Sequence, residues 1–168
     1  MDDASDGRIE GVYHATVIAH DLDRSLAFYR DLLGFRVSYA WEHDPAILGR
    51  LTGYARPAGR AAILECADGT ELEVAEFSEP RGRPRVGHRW EDAGINFLAF
   101  RVRGIDALVE RLAAAGVRVN GPVVSQTLDD GSVVRVVYCF DPDGVTLTLV
   151  ELPAGHRTLE SPSTEPAR

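Results

Sequence analysis

One order of elements is written twice in this chain, and few folds accommodate that. Between His14 and Phe35 the sequence reads HATVIAHDLDRSLAFYRDLLGF. Ala15, Val17 and Ala19 alternate with Thr16 and Ile18, as a strand with two unlike faces requires. Asp21 then stands where an N-cap belongs, Leu22, Leu26, Tyr29 and Leu33 recur at helical spacing, and Gly34 stops the helix. Phe35 to Trp41 sets Phe, Val, Tyr and Trp against Arg, Ser and Ala, which predicts a strand with one aromatic face. His43 to Gly53 predicts a short helix with Asp44 as cap and Pro45 in its first turn. Arg60 to Cys66, an Asp-Gly turn and Glu71 to Phe77 predict a hairpin.

The same order returns as a strand Ile95–Val102 and a helix Ile105–Ala115, with Ile105, Leu108 and Leu112 inward and Gly116 as its stop. Strands Val117–Thr127, Val133–Phe140 and Val145–Glu151 follow, joined by DDGS and DPDG turns. The expected organisation is a tail over 1–10, a βαβββ module over 11–78, a Pro- and Arg-rich linker over 79–93, a second module over 94–152 and a tail over 153–168. Each half has one sheet face covered by its helix and one uncovered, so the two open faces are expected to form or cover a cavity together. The fold class is α+β.

At 168 residues, 45% hydrophobic and 26% charged, the chain suits one domain with a real core. A formal charge of -8 argues against a nucleic-acid partner. No apolar run approaches membrane-spanning length and the first ten residues are acidic, so a cytoplasmic protein without a membrane partner is expected. Cys66 and Cys139 lie in strand-like apolar settings and read as buried free thiols. Arg81, Arg83, Arg85 and Arg89 read as a solvated loop or as an anion grip.

His14, the run Asp21 to Phe35, DGTELEV over Asp68 to Val74 and DPDGVTLTLVE over Asp141 to Glu151 together resemble the vicinal oxygen chelate superfamily. That group includes lactoylglutathione lyase, methylmalonyl-CoA epimerase, extradiol dioxygenases and bleomycin-type resistance proteins. The resemblance implies paired modules whose curved mixed sheet encloses a cup-shaped cavity. It also implies a divalent metal held by a His on the first strand and a carboxylate or amide on the last strand of each half. The first-half positions fall on His14 and Glu73. The second-half positions fall on Phe97 and Thr148, one without a donor and the other with a neutral hydroxyl, so no metal and no other cofactor is expected. Asn96 and Glu151 are the nearest polar neighbours, but strand parity sends each to the opposite face. His20, His43 and His88 remain as outside donors.

If His14 and Glu73 face one cavity they form an acid/base pair that needs no metal, or they simply satisfy each other. Tyr39, Trp41, Phe77, Phe97, Arg101, Tyr138 and Thr148 are the candidate substrate-binding wall, with Arg101 suited to an anion. The favoured reading is a metal-independent enzyme moving a proton on a small, partly apolar, specialised-metabolite molecule by isomerisation, cyclisation, elimination or hydrolysis. The alternatives are a ligand-sequestering resistance protein and a metal-dependent lyase, epimerase or dioxygenase. A small-molecule ligand and a possible homodimer are the expected partners.

Overall fold

The computed structural model describes residues 7–83, 89–91, 93–94 and 97–156. The chain divides into two compact units, Met1–Gly82 and Arg83–Arg168. The first runs β1 (His14–Ala19), α1 (Leu22–Leu26, continued as π-helix over Ala27–Leu32), β2 (Arg36–Glu42), α2 (Pro45–Thr52), β3 (Ala58–Glu65) and β4 (Glu71–Glu79). The second runs β5 (Phe97–Arg101), α3 (Ile105–Ala114), β6 (Val119–Thr127), β7 (Val133–Phe140) and β8 (Thr146–Glu151). Each unit holds a four-stranded mixed sheet, ordered β1-β4-β3-β2 in the first and β5-β8-β7-β6 in the second. The fold is the α+β, paired βαβββ architecture expected of the sequence, with α2 added to the first unit.

Burial explains which face each helix covers. In the first unit Val17, Ala19, Ala62, Leu64, Leu72 and Val74 are buried, with Leu22, Phe28 and Tyr29 of α1 among the buried core. In the second, Val137, Cys139, Leu147 and Leu149 are buried together with Ile105, Leu108 and Leu112 of α3. Side chains of the Val and Leu class each contribute about 1.5–3 kcal/mol on such burial, so these faces hold the sheets to their helices.

Two local features depart from the simple periodicities. Asp21 caps α1 through Arg24 N as its spacing predicts, but the last turns widen, with Leu33 N donating to Phe28 O. Leu22 and Tyr29 of the expected stripe are buried together with Ser25 and Phe28, while Leu26 and Leu33 are half-buried. In β2 the pairing slips between Val37 and Tyr39: Val37 pairs with Leu64 while Tyr39 pairs with Ile63. This bulge at Ser38 splits the single aromatic face expected of Phe35 to Trp41. Phe35 is buried with Tyr29 at a ring distance of 5.9 Å, Val37 shares the helix side, and Tyr39 and Trp41 turn to the open side.

Both units anchor the helix to the sheet in the same way. On β3, Arg60 reaches Asp23 of α1 at 2.8 Å and Glu76 of β4 at 3.0 Å, while Glu76 accepts from Leu22 N at 3.0 Å. On β7, Arg135 reaches Asp106 of α3 at 2.6 Å and Glu151 of β8 at 3.2 Å. Glu151 in turn accepts from Gly104 N and, at 3.2 Å, from Ile105 N. A carboxylate on the last strand thus satisfies the open N–H groups of each helix start. Because Glu76 and Glu151 face the helices, Glu73 and Thr148, an odd number of residues away, face the other side.

Candidate functional site

The open face of the first sheet can be read in rows, since directly paired residues share a face. One row is Thr16, Glu73, Ile63 and Tyr39; the next is Ile18, Ala75, Ala61 and Trp41. His14 lies two residues before Thr16 on the same side of β1. The face therefore has a polar end on β1 and β4, a floor of Ala61, Ile63 and Ala75, and an aromatic end on β2.

At the polar end three side chains meet on one atom. His14 Nε2 stands 3.1 Å from Glu73 Oε2, and the Thr16 hydroxyl donates to that same oxygen at 2.8 Å. The His14 and Glu73 side chains retain 23% and 14% exposure, so the pair is sheltered but reachable. His14 Nδ1 is sealed from solvent and has no hydrogen-bond partner among the described residues. The Tyr13 ring lies 4.7 Å from the imidazole. Glu73 Oε1 accepts no hydrogen bond among the described residues and is not among the sealed atoms. With Nε2–H donated to the carboxylate, the imidazole is held in one tautomer, and the lone pairs left facing outward belong to Glu73 Oε1.

At the aromatic end Tyr39 and Trp41 stack at 5.4 Å with a 17° interplanar angle, and Trp41 meets the His43 ring edge-on at 5.5 Å. Trp41 Nε1 donates to His43 Nδ1 at 3.3 Å, which fixes the indole plane. Tyr39 remains 63% exposed, a large apolar ring in water. Phe77 pairs with Gly59 on this face. A Cβ at Gly59 would sit 2.4 Å from the Glu76 carbonyl oxygen, so only glycine fits where β4 bulges at Ser78 beside β3.

On the open face of the second sheet, Phe97, Ala99 and Arg101 of β5 pair with Thr146, Thr148 and Val150 of β8, and Tyr138 of β7 lies opposite Thr148. Ala99 pairs with Thr148 as Thr16 pairs with Glu73, so Phe97, Ala99 and Thr148 are the register equivalents of His14, Thr16 and Glu73. Phe97 and Tyr138 stand 6.1 Å apart, and Trp90 closes on Tyr138 at 5.0 Å. Thr148 is only 7% exposed, with Oγ1 sealed and unpartnered among the described residues.

This donor chemistry does not fit a divalent metal. The first sheet gathers two strong donors, His14 and Glu73, but the matching second-sheet positions offer a phenyl ring and a sealed neutral hydroxyl. Among the described residues no three His, Cys, Asp or Glu side chains cluster closely enough to hold an ion. The outside donors are engaged or unseen: His43 accepts from Trp41, His20 meets Arg81 at 3.2 Å, and His88 and Asn96 lie outside the described residues. Burial pushes the thiols of Cys66 and Cys139 up to about 11, with Asp68 and Asp141 adding to it, so neither is poised as a nucleophile. Of the linker arginines, Arg89 pairs with Glu91 at 2.6 Å and Arg85 lies outside the described residues.

Two residues of these faces escape a reading by motif. Thr16 carries no motif signal, although its parity with His14 places it on the same face. Trp90 sits in the linker, where no periodicity assigns a partner. No helix among the described residues is long and apolar enough to cross a membrane.

Residues 11–149 match the family described as Glyoxalase/Bleomycin resistance protein/Dioxygenase superfamily. The chain is 34% identical over 150 residues to a 2-epi-5-epi-valiolone epimerase from Actinomyces sp., covering 86% of this chain and 80% of that protein. Among solved structures it resembles a glyoxalase family protein from Bacillus cereus, with a TM-score of 0.75 at 22% identity, covering 89% of this chain and 99% of that one. It also resembles the trypanothione-dependent glyoxalase I of Leishmania major, with a TM-score of 0.61 at 20% identity, covering 85% and 87%.

Proposed function

Because the chain belongs to the glyoxalase/bleomycin resistance protein/dioxygenase superfamily, we propose that it is an isomerase-type enzyme acting without a metal on a small, partly apolar molecule. Its chemistry is proton transfer at a carbon next to a carbonyl, and its working pair is His14 and Glu73. The observation that carries this reading is the 3.1 Å contact between them on the sheet face turned away from the helix, where both side chains remain partly exposed. Similarity to an epimerase supports the same reaction class.

In this reading the ionised Glu73 takes the proton through Oε1, the oxygen left without a partner. The electron pair of the broken C–H bond moves into the carbonyl to give an enolate. Glu73 returns the proton to the same face, or a solvent proton adds to the opposite face to give the epimer while Glu73 passes its proton to water, so the step balances without an oxidant or co-reactant. His14 acts by donating Nε2–H to Oε2, which aims the carboxylate; its own second nitrogen is sealed from any substrate. A positioned base of this kind is worth roughly a hundredfold to ten-thousandfold in rate. Tyr39, Trp41 and Phe77 of the first sheet, and Phe97, Arg101, Tyr138 and Thr148 of the second, supply the ligand-binding surfaces, aromatic rings for the apolar part and Arg101 for an anionic group.

The test is incubation with 2-epi-5-epi-valiolone in D2O, followed by NMR. The expected result is deuterium at the carbon beside the carbonyl, together with the epimer, from protein stripped of metal by chelator. A parent protein that exchanges nothing until metal is added overturns the reading. The second reading, a sequestering protein, is favoured by the exposed Tyr39 ring stacked on Trp41. Tight binding of the ketone with no exchange under any condition would support it instead.

A further inference from the structure

We propose that Thr16 is a positioning residue of the proton-transfer centre, holding Glu73 in the rotamer that presents Oε1 to the substrate. This rests on the isomerase reading above, in which Glu73 is the base. A glutamate has three side-chain torsions and loses rotamer freedom when fixed. His14 alone supplies one donor to hold it. The Thr16 hydroxyl supplies a second, at 2.8 Å, on the same oxygen. Two donors converging on Oε2 from the neighbouring strand fix both the position and the rotation of the carboxylate, and they leave Oε1 as its free edge.

Strand propensity by itself would put a threonine on an exposed strand face, so the internal duplication has to decide whether this one has a task. Between the two units, the positions that anchor helix to sheet keep their chemistry: Asp23, Arg60 and Glu76 answer to Asp106, Arg135 and Glu151. The three positions on the open face change as a block, from His14, Thr16 and Glu73 to Phe97, Ala99 and Thr148. Where the carboxylate is gone, the hydroxyl two residues into the first strand is gone as well. Thr16 therefore groups with the chemistry and not with the scaffold.

The pair Thr16→Val and Thr16→Ser tests this, since valine keeps the shape and removes the donor while serine restores it. In the solvent-deuterium assay, Thr16→Val should lower kcat about ten- to hundredfold, the worth of one hydrogen bond to a charged group, with KM little changed. Thr16→Ser should recover most of that loss. Independently of any substrate, long-range 1H–15N NMR of the free protein should show His14 as a single Nε2–H tautomer in the parent and in Thr16→Ser. Thr16→Val should show a mixture, because the carboxylate it leans on is no longer fixed. If the parent exchanges nothing, the isomerase reading falls while the His14 signal still decides the role of Thr16. A parent-like rate and tautomer in Thr16→Val overturn the proposal. So does equal loss in both variants accompanied by a lower unfolding midpoint, which marks a structural role.

Discussion

The two halves of this protein share a scaffold and differ in what they do with it. In each, an arginine on an inner strand ties an aspartate in the first turn of the helix to a glutamate on the neighbouring antiparallel strand, and that glutamate caps the helix. On the opposite face the first half gathers His14, Thr16 and Glu73, while the second places Phe97, Ala99 and Thr148 at the same registers. The anchoring network is thus a requirement of the βαβββ unit itself, since a helix start laid across a sheet needs its N–H groups satisfied in either copy. The polar cluster is not such a requirement, because one copy stands without it. What one half has and the other lacks is the best guide to where the chemistry lies.

The largest expected effect comes from treating equivalent positions alike. Glu73→Gln should lower turnover by about a hundredfold to ten-thousandfold with little change in ligand affinity, while Thr148→Val at the matching register should change the rate less than about threefold. Parallel calorimetry and turnover on both variants check this; similar losses from the two would break the comparison. Next in size is a stability effect peculiar to the first half. Gly59→Ala should cost about 1–3 kcal/mol in denaturant unfolding, because the added methyl meets the Glu76 carbonyl.

A graft sharpens the comparison further. Phe97→His, Ala99→Thr and Thr148→Glu together should recreate in the second half the contacts of the first, read as one additional imidazole fixed in the Nε2–H tautomer by 1H–15N NMR. A freely averaging imidazole signal would show that register alone does not determine the cluster. The smallest effect concerns the shared scaffold. Hydrogen bonds from Arg135 hold the Asp106 carboxyl below the usual carboxylate range. A carboxyl lowered in the folded state binds fewer protons there than in the unfolded chain. Its stabilisation is therefore present above its unfolded value of about 4 and is lost as pH falls through the folded value. Asp106→Asn should be slightly less stable than the parent at pH 7, and the gap should close in acid. A gap that widens in acid would contradict the assignment.

Much of this was legible in the sequence, and where it was not, the cause is local. The family resemblance singles out His14 and Glu73, and they share a face because the β1–β4 pairing runs without a slip from His14 to Ala19. Strand parity failed for Phe35 to Trp41, since the bulge at Ser38 turns Tyr39 and Trp41 away from Phe35 and Val37. Helical spacing found α1 and put Leu22 and Tyr29 in its buried stripe, but it carried no sign of the π-winding over Ala27–Leu32. The arginine anchors were invisible: Arg60 and Asp23 lie 37 residues apart and carry no motif. Phe97 and Thr148 were legible as losses at recognisable positions, whereas Thr16 and Trp90 emerge only once strands and rings are placed.

The most direct measurement of the central claim is solvent-deuterium incorporation into the ketone by chelator-treated parent protein and by Glu73→Gln, side by side. Exchange is expected at the carbon beside the carbonyl in the parent, reduced at least about a hundredfold in Glu73→Gln with binding retained. Exchange at the parent rate in Glu73→Gln would contradict the claim.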